Sequence, residues 1–234
     1  MLTLENLIFR YPKATANTLD HVTLPLCEKK VNVLLGMNGA GKTTLFDLIT
    51  GVLPSKRTYL NVTTEQIVYQ TQGTYISPVI RASDFVRLIC GIGGLTIAKQ
   101  PEGLDHYSAL EPVEQKLISK IWKMKLGALS VGERRWLFVT AVGWLDREMY
   151  IFDEPTTAVD PSSRIKIMRR MDSLVKQSKL VLISTHQLHE LQDIDCLISL
   201  LHEGKIIFHG SYDQFLNQGG SDSPDRAFEA FITC

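Results

Sequence analysis

The chain has 234 residues, enough for one large α/β domain or a domain carrying an insertion. Its formal net charge is zero, which gives no bulk attraction to nucleic acid or anionic lipid, so no nucleic-acid partner is expected. Cys27, Cys90, Cys196 and Cys234 lie far apart with no Cys-x-x-Cys, which argues against a zinc site or disulfide framework and fits a reducing compartment. No run approaches the length of a membrane span, and the start, Met1 to Asn6, alternates like a strand rather than a signal peptide. If the protein acts at a membrane, another chain is expected to do the spanning.

Residues 2–9 and 21–26 alternate apolar and polar, as a half-buried antiparallel β-region would. Val31 to Leu35 is a strand run, followed by Gly36-Met37-Asn38-Gly39-Ala40-Gly41-Lys42-Thr43 and a helix-compatible run, Thr43 to Thr50, stopped by Gly51 and Pro54. Residues 58–69 read as one or two short strands. A mostly helical stretch begins near Ser83; its clearest helix starts near Pro112, with Val113, Leu117, Ile121 and Met124 on one face. Because this stretch interrupts the strand–helix alternation, residues 73–128 are expected to form a helical insertion within a single domain spanning 1–234. Ser130 and Glu133 then form a capping-box pattern ahead of an apolar helix to about Leu145. Met149 to Phe152 reads as a buried strand, and Asp160-Pro161 opens a helix with Ile165, Met168 and Met171 or Asp172 at helical spacing. Leu180 to Ile183 is a further strand, residues 184–187 offer a possible capping box, and residues 196–208 suggest a hairpin around Glu203-Gly204. Gly219 to Pro224 reads as a polar loop. The fold class expected is α/β: a mostly parallel sheet, an antiparallel β-subdomain and a helical insertion.

The segment from Gly36 to Thr43 is a phosphate-binding loop in its required context of strand, glycine loop and helix. Gly36, Gly39 and Gly41 let the backbone turn tightly and approach anionic oxygens, and the amides at the helix start point at phosphate. Lys42 can reach the outer phosphates, and the Thr43 hydroxyl can hold Mg²⁺. The strand Met149–Phe152 delivers Asp153 and Glu154, where Asp153 can bind Mg²⁺ through water and Glu154 can orient or deprotonate an attacking water.

With Leu129-Ser130-Val131-Gly132-Glu133 about twenty residues upstream of that acidic pair, the chain resembles the ATP-binding cassette (ABC) ATPase family over essentially its whole length. Tyr11 resembles the aromatic that stacks on adenine, although a strand-edge aromatic would read the same way. Residues 36–43 resemble the Walker A loop, and Gln72 the Q-loop glutamine that touches Mg²⁺ and the attacking water. Gln70 competes for that role; alignment to Tyr69 favours Gln72. Leu129 to Glu133 resembles the signature motif, Met149 to Glu154 the Walker B strand, and Thr157 to Asp160 the D-loop. His186 resembles the switch histidine that contacts the γ-phosphate. The resemblance implies nucleotide contacts at Tyr11, Gly36, Asn38, Gly39, Ala40, Gly41, Lys42, Thr43, Thr44, Ser130, Gly132 and Asp160. It implies Mg²⁺ contacts at Thr43, Gln72 and Asp153, and catalysis by Glu154, His186, Gln72 and Lys42.

The chain departs from the family's usual Leu-Ser-Gly-Gly-Gln signature at Val131 and Glu133, and the negative charge of Glu133 bears on contact with the nucleotide. The segment Gly51 to Arg57 lacks the family's usual glycine, so the β-region there is expected to be short. The resemblance implies that two such ATPase subunits, alike or different, sandwich two ATP molecules. Each site would use Walker residues from one chain and Ser130 and Gly132 from the other. The expected job is the ATP-hydrolysing subunit of a membrane transporter, cytoplasmic and peripheral on the inner face of the membrane, driving a separate transmembrane permease subunit. Thr156 to Pro161, and Ser184-Thr185-His186 without a following aspartate, resemble the drug and peptide exporter branch. The alternatives are a soluble ABC ATPase of a cytosolic assembly machine and a nucleotide-binding interaction module with little catalysis. The partner-docking surface is expected between about Gln72 and Arg87.

Overall fold

The computed structural model describes residues 2–54, 62–73, 75–192 and 194–233. They divide into two compact units: residues 2–72, 147–155 and 171–233 form one, and residues 73–146 and 156–170 the other.

Every strand among the described residues lies in the first unit. Strands β1 (Leu2–Phe9) and β2 (Leu19–Leu26) pair antiparallel as a two-stranded sheet. The larger sheet contains β3 (Val31–Leu35), β4 (Ile67–Gln70), β5 (Met149–Asp153), β6 (Leu180–Thr185), β7 (Cys196–His202) and β8 (Lys205–Ser211). Their order is β4-β5-β6-β3-β7-β8, parallel throughout except for β8. This is the mixed α/β architecture expected. β3, β5 and β6 are buried at every position, which is why they read as continuous apolar runs rather than as alternation. The exception within β3 is Asn32, also buried. Its Oδ1 accepts the Cys27 N–H at 2.7 Å, while its Nδ2 donates to the carbonyls of Cys27 at 2.9 Å and Val181 at 3.0 Å. A buried amide satisfied on both ends contributes to the sheet instead of opposing it.

Helix α1 (Lys42–Ile49) follows β3, and its Leu45, Phe46, Leu48 and Ile49 join Leu34, Ile151 and Leu182 of the sheet and Leu4, Leu24 and Leu26 of the hairpin in one apolar cluster. Each such side chain, fully buried, contributes about 1.5–3 kcal/mol. β7 and β8 are joined by Glu203 and Gly204, both at positive φ (45° and 74°), the two-residue turn whose twist matches flanking strands.

The second unit is built from α2 (Ala82–Gly93), α3 (Pro112–Ile121), α4 (Val131–Val142) and the start of α5 (Pro161–Lys176). The rings of Phe85 on α2 and Phe138 on α4 lie 4.6 Å apart. Residues 78–83 run beside 122–127, with Ala82 N–H donating to Met124 O at 2.9 Å and Gly127 N–H to Pro78 O at 2.9 Å. Two short helices, α6 (Tyr212–Gln218) and α7 (Pro224–Thr233), complete the first unit, with the polar 219–223 loop between them.

Several elements differ from expectation for identifiable reasons. Of residues 58–69, positions 58–61 lie outside the described residues, and Thr64–Gln66 forms a 3₁₀ turn rather than strand. Thr63 N–H donates to Gln66 Oε1 at 3.0 Å, a local bond that competes with a strand ladder. On α3 the inward face is Glu114, Ile118 and Ile121; Val113 is exposed and Leu117 only partly covered. The stripe of apolar residues misled because the buried position is taken by a carboxylate. Glu114 Oε1 accepts Trp136 Nε1–H at 3.1 Å, and its Oε2 accepts the Glu111 N–H at 3.0 Å and lies 3.5 Å from Arg170. On α5 Ile165 is exposed, and the buried stripe begins at Ile167 and Met168.

Replacing Glu114 by Ala would strand the indole N–H of Trp136 and the partly covered Arg170 charge. The expected loss is about 2–4 kcal/mol of stability, read from the midpoint of urea unfolding.

Candidate functional site

In the first unit, β3 ends at Leu35 and the chain turns through the glycine loop into α1. Gly41, the residue before α1, has φ 106°, and Gly39 has φ 84°, values that other residues adopt only with strain. Gly36 answers to a different constraint: a Cβ there would lie 2.5 Å from the carbonyl oxygen of Leu201. The buried Lys42 side chain folds back over the loop, donating to the carbonyls of Gly36 at 2.7 Å and Met37 at 3.0 Å. Burial pushes its ammonium pKa down, while Glu154 and Asp153 act to hold it up.

The carboxylates at the end of β5, Asp153 and Glu154, sit beside this loop. Asp153 Oδ2 accepts the Thr43 hydroxyl at 3.0 Å. Glu154 has φ 48°, an unfavourable conformation for a residue with a Cβ, costing about 1–3 kcal/mol. Its carboxylate is held from both sides: Gln72 Nε2 donates to Oε2 at 2.7 Å, and His186 Nδ1 lies 3.2 Å from Oε1. The structure thus brings Gln72 to Glu154. Gln70 stays buried on β4, and its amide has no hydrogen-bond partner among the described residues. Tyr11 is 40% exposed, and its hydroxyl lies 3.1 Å from that of Thr44. A cavity of about 450 Å³ opens here, lined by Tyr11, Thr18, Asn38, Gly39, Gly41, Lys42, Thr43, Thr44, Gln72, Asp153 and Glu154. Ala40 and Gly36 belong to the loop but not to that lining.

The expected capping box over residues 184–187 does not form. Thr185 Oγ1 instead accepts the Gln187 N–H at 2.9 Å, the 3₁₀ turn Leu188–Leu191 begins without a side-chain cap, and the Ser184 hydroxyl is engaged by Asp153 and Glu154. Sequence reasoning assigned Ser184 no role in the site. The available signal was a small hydroxyl residue directly after four apolar ones, near the end of a buried strand.

The Thr43 hydroxyl and Asp153 carboxylate, 3.0 Å apart, are hard oxygen donors that suit Mg²⁺. Among the described residues no three His, Cys, Asp or Glu side chains gather as a metal cage. A site with one carboxylate and one hydroxyl is the kind that shares its ion with substrate phosphate.

In the second unit Ser130, Gly132 and Asp160 come together. Ser130 caps α4: its Oγ accepts the Glu133 N–H at 3.1 Å, and Glu133 Oε2 accepts the Ser130 N–H at 3.0 Å. Asp160 caps α5, accepting the Ser163 N–H at 3.0 Å, and hydrogen bonds from Ser163 hold its carboxyl below the usual range. A Cβ on Gly132 would fall 2.3 Å from Ser163 Oγ and 2.8 Å from Asp160 Oδ2, so only glycine fits between these two helix starts. Val131 is exposed, so its side chain meets no such limit. Lys120 reaches the unusual Glu133 at 2.8 Å, and this bond, with that from Ser130, holds the Glu133 carboxyl below its ordinary value. The added negative charge therefore arrives already paired.

Comparison with known proteins gives a consistent picture. The chain is 25% identical over 221 residues to the manganese transport system ATP-binding protein MntB of Listeria monocytogenes, covering 91% of each. It is 24% identical to the lantibiotic transport ATP-binding protein SrtF of Streptococcus pyogenes, covering 97% of this chain and 96% of that one. It is 28% identical to the energy-coupling factor transporter ATP-binding protein EcfA1 of Mycoplasmopsis pulmonis, covering 93% of this chain and 85% of that one. A solved structure of an ATP-binding subunit of an ABC transporter shares the fold with a TM-score of 0.76, at 22% identity over 99% of each chain. The family model described as ABC transporter matches residues 19–157, more than half of the sequence. The chain belongs to the ABC transporter family, and within it is an ATP-hydrolysing enzyme.

Proposed function

We propose that this chain is the ATPase subunit of a membrane exporter, hydrolysing ATP at the glycine loop while a separate transmembrane permease moves the substrate. The observation that carries the reading is the convergence of Gln72 and His186 on Glu154, beside a phosphate loop whose Thr43 is bonded to Asp153. Among the described residues no helix is long and apolar enough to cross a membrane; the separate permease and the peripheral place on the cytoplasmic face rest on membership of the ABC transporter family.

In this reading the two units together form one ATPase domain over 1–234, with 73–128 as its helical insertion. Tyr11 stacks on the base, and the loop from Gly36 to Thr44 cradles the phosphates. Lys42 neutralises charge on the outer phosphates as it develops. Thr43, Asp153 and Gln72 would hold Mg²⁺, which supplies charge neutralisation at the transferred phosphoryl group. Glu154 takes a proton from the attacking water, and His186 and Gln72 keep its carboxylate in line. Ser130, Gly132 and Asp160 serve the nucleotide of a second ATPase subunit, so that two chains close over two ATP molecules. The exporter assignment rests on the resemblance of Thr156 to Pro161 and Ser184 to His186 to that branch. A soluble assembly ATPase would share the site and lack the permease.

Glu154→Gln is expected to keep ATP binding, slow steady hydrolysis about 100-fold or more, and stabilise an ATP-bound dimer. Phosphate release and size-exclusion chromatography measure these, and near-normal turnover would remove Glu154 as the base. Lys42→Ala is expected to weaken equilibrium ATP binding about 10- to 100-fold, the range of one charged hydrogen bond. Unchanged affinity would place ATP elsewhere. For the partner, Val79 is 66% exposed on a segment whose backbone is anchored through Pro78 and Ile80 to Gly127 and Leu126. Val79→Asp is expected to spare ATP binding and abolish co-purification with the permease, whereas retained co-purification would move docking away from residues 72–87.

A further inference from the structure

Ser184 is the next-to-last residue of β6, paired with Asp153 of β5, and it is completely buried. The four residues before it, Leu180 to Ile183, are apolar and buried, and a buried hydroxyl is unfavourable there unless it is used. It is used twice. The Ser184 hydroxyl donates to Asp153 Oδ1 and accepts the Glu154 backbone N–H at 2.9 Å. The other oxygen of Asp153 is taken by Thr43 Oγ1 at 3.0 Å, so that carboxylate is held at both ends, once from the sheet and once from the phosphate loop. The Glu154 N–H belongs to the residue at φ 48°, immediately before Pro155, where the chain turns out of the strand. One hydroxyl therefore sets the orientation of one acidic side chain and ties the strained turn that aims the next.

We propose that Ser184 is a positioning residue for hydrolysis: it fixes Asp153 and Glu154 relative to each other, acting through them and not on the substrate. The inference rests on the roles assigned above to those two residues. Its signature is a loss of turnover without a matching loss of nucleotide affinity, because Lys42, Tyr11 and the loop amides are untouched. Threonine keeps the hydroxyl, whereas alanine removes it and cysteine replaces it with a weaker donor of similar size.

The experiment uses the full chain, with Ser184→Ala, Ser184→Cys, Ser184→Thr and Glu154→Gln assayed for ATP hydrolysis over a range of ATP and magnesium concentrations, and for equilibrium ATP binding. Ser184→Ala and Ser184→Cys are expected to lower kcat about 10- to 100-fold, the scale of a small misplacement of reacting groups, with KM and ATP affinity changed less than about threefold. Both are also expected to need more magnesium for half-maximal rate, and Ser184→Thr is expected to recover most of the parent kcat. Should Ser184→Ala not fold, Ser184→Cys carries the test. Parental kcat in either variant overturns the proposal, as does a loss of rate that Ser184→Thr fails to restore or that matches the loss of affinity. If Glu154→Gln turns over normally, the role of Glu154 falls and this inference with it. If Glu154→Gln is inactive while Ser184→Cys is normal, only the assignment of Ser184 falls.

Discussion

The site depends on the parallel alignment of four neighbouring strands, β4, β5, β6 and β3. Parallel strands end on the same edge of a sheet, so whatever follows each one is delivered to the same place. Gln72 follows β4, Asp153 and Glu154 close and follow β5, Ser184 lies one residue from the end of β6 and His186 follows it, and the glycine loop follows β3. Segments separated by up to about 150 positions in the chain become hydrogen-bonding neighbours through register alone, as the pairing of Asp153 with Ser184 makes plain. The burial of β3, β5 and β6 on both faces keeps that register from slipping, because a shift would carry charged flanking residues into the sheet.

Much of this was legible in the residues themselves. A glycine loop between strand and helix, the reciprocal caps of Ser130 and Glu133, and a Glu-Gly turn between two apolar strands are local patterns, and local patterns survive folding. The parts that escaped depend on distant partners. Glu114 reads as a surface residue until Trp136 and Arg170 are known to lie beside it. Asn32 looks like a flaw in an apolar run until the carbonyls of Cys27 and Val181 are in place. Ser184 resembles a helix cap because capping and strand-to-strand bonding use the same short hydroxyl side chain. Gln70 and Gln72, two positions apart, differ only in which one lies beyond the end of β4.

The second unit manages charge differently from the first. Around the phosphate loop, Lys42, Asp153 and Glu154 are packed close, with desolvation and mutual attraction opposed. Near Ser130, the charge of Glu133 is spent internally on Lys120 and on the cap of its own helix. A departure from the common signature pattern is thereby absorbed by a lysine on another helix, and the short spacing from Gly132 to Ser163 and Asp160 is left intact.

The left-handed backbone at Glu154 has a consequence for how this chain responds to selection for robustness. Glycine or asparagine would occupy that conformation more comfortably than glutamate, so the substitutions that best relax the turn are the ones that delete its carboxylate. On the role proposed for Glu154, a thermostability screen run without an activity readout would drift toward a tougher, catalytically silent protein, with activity and resilience in competition at a single residue.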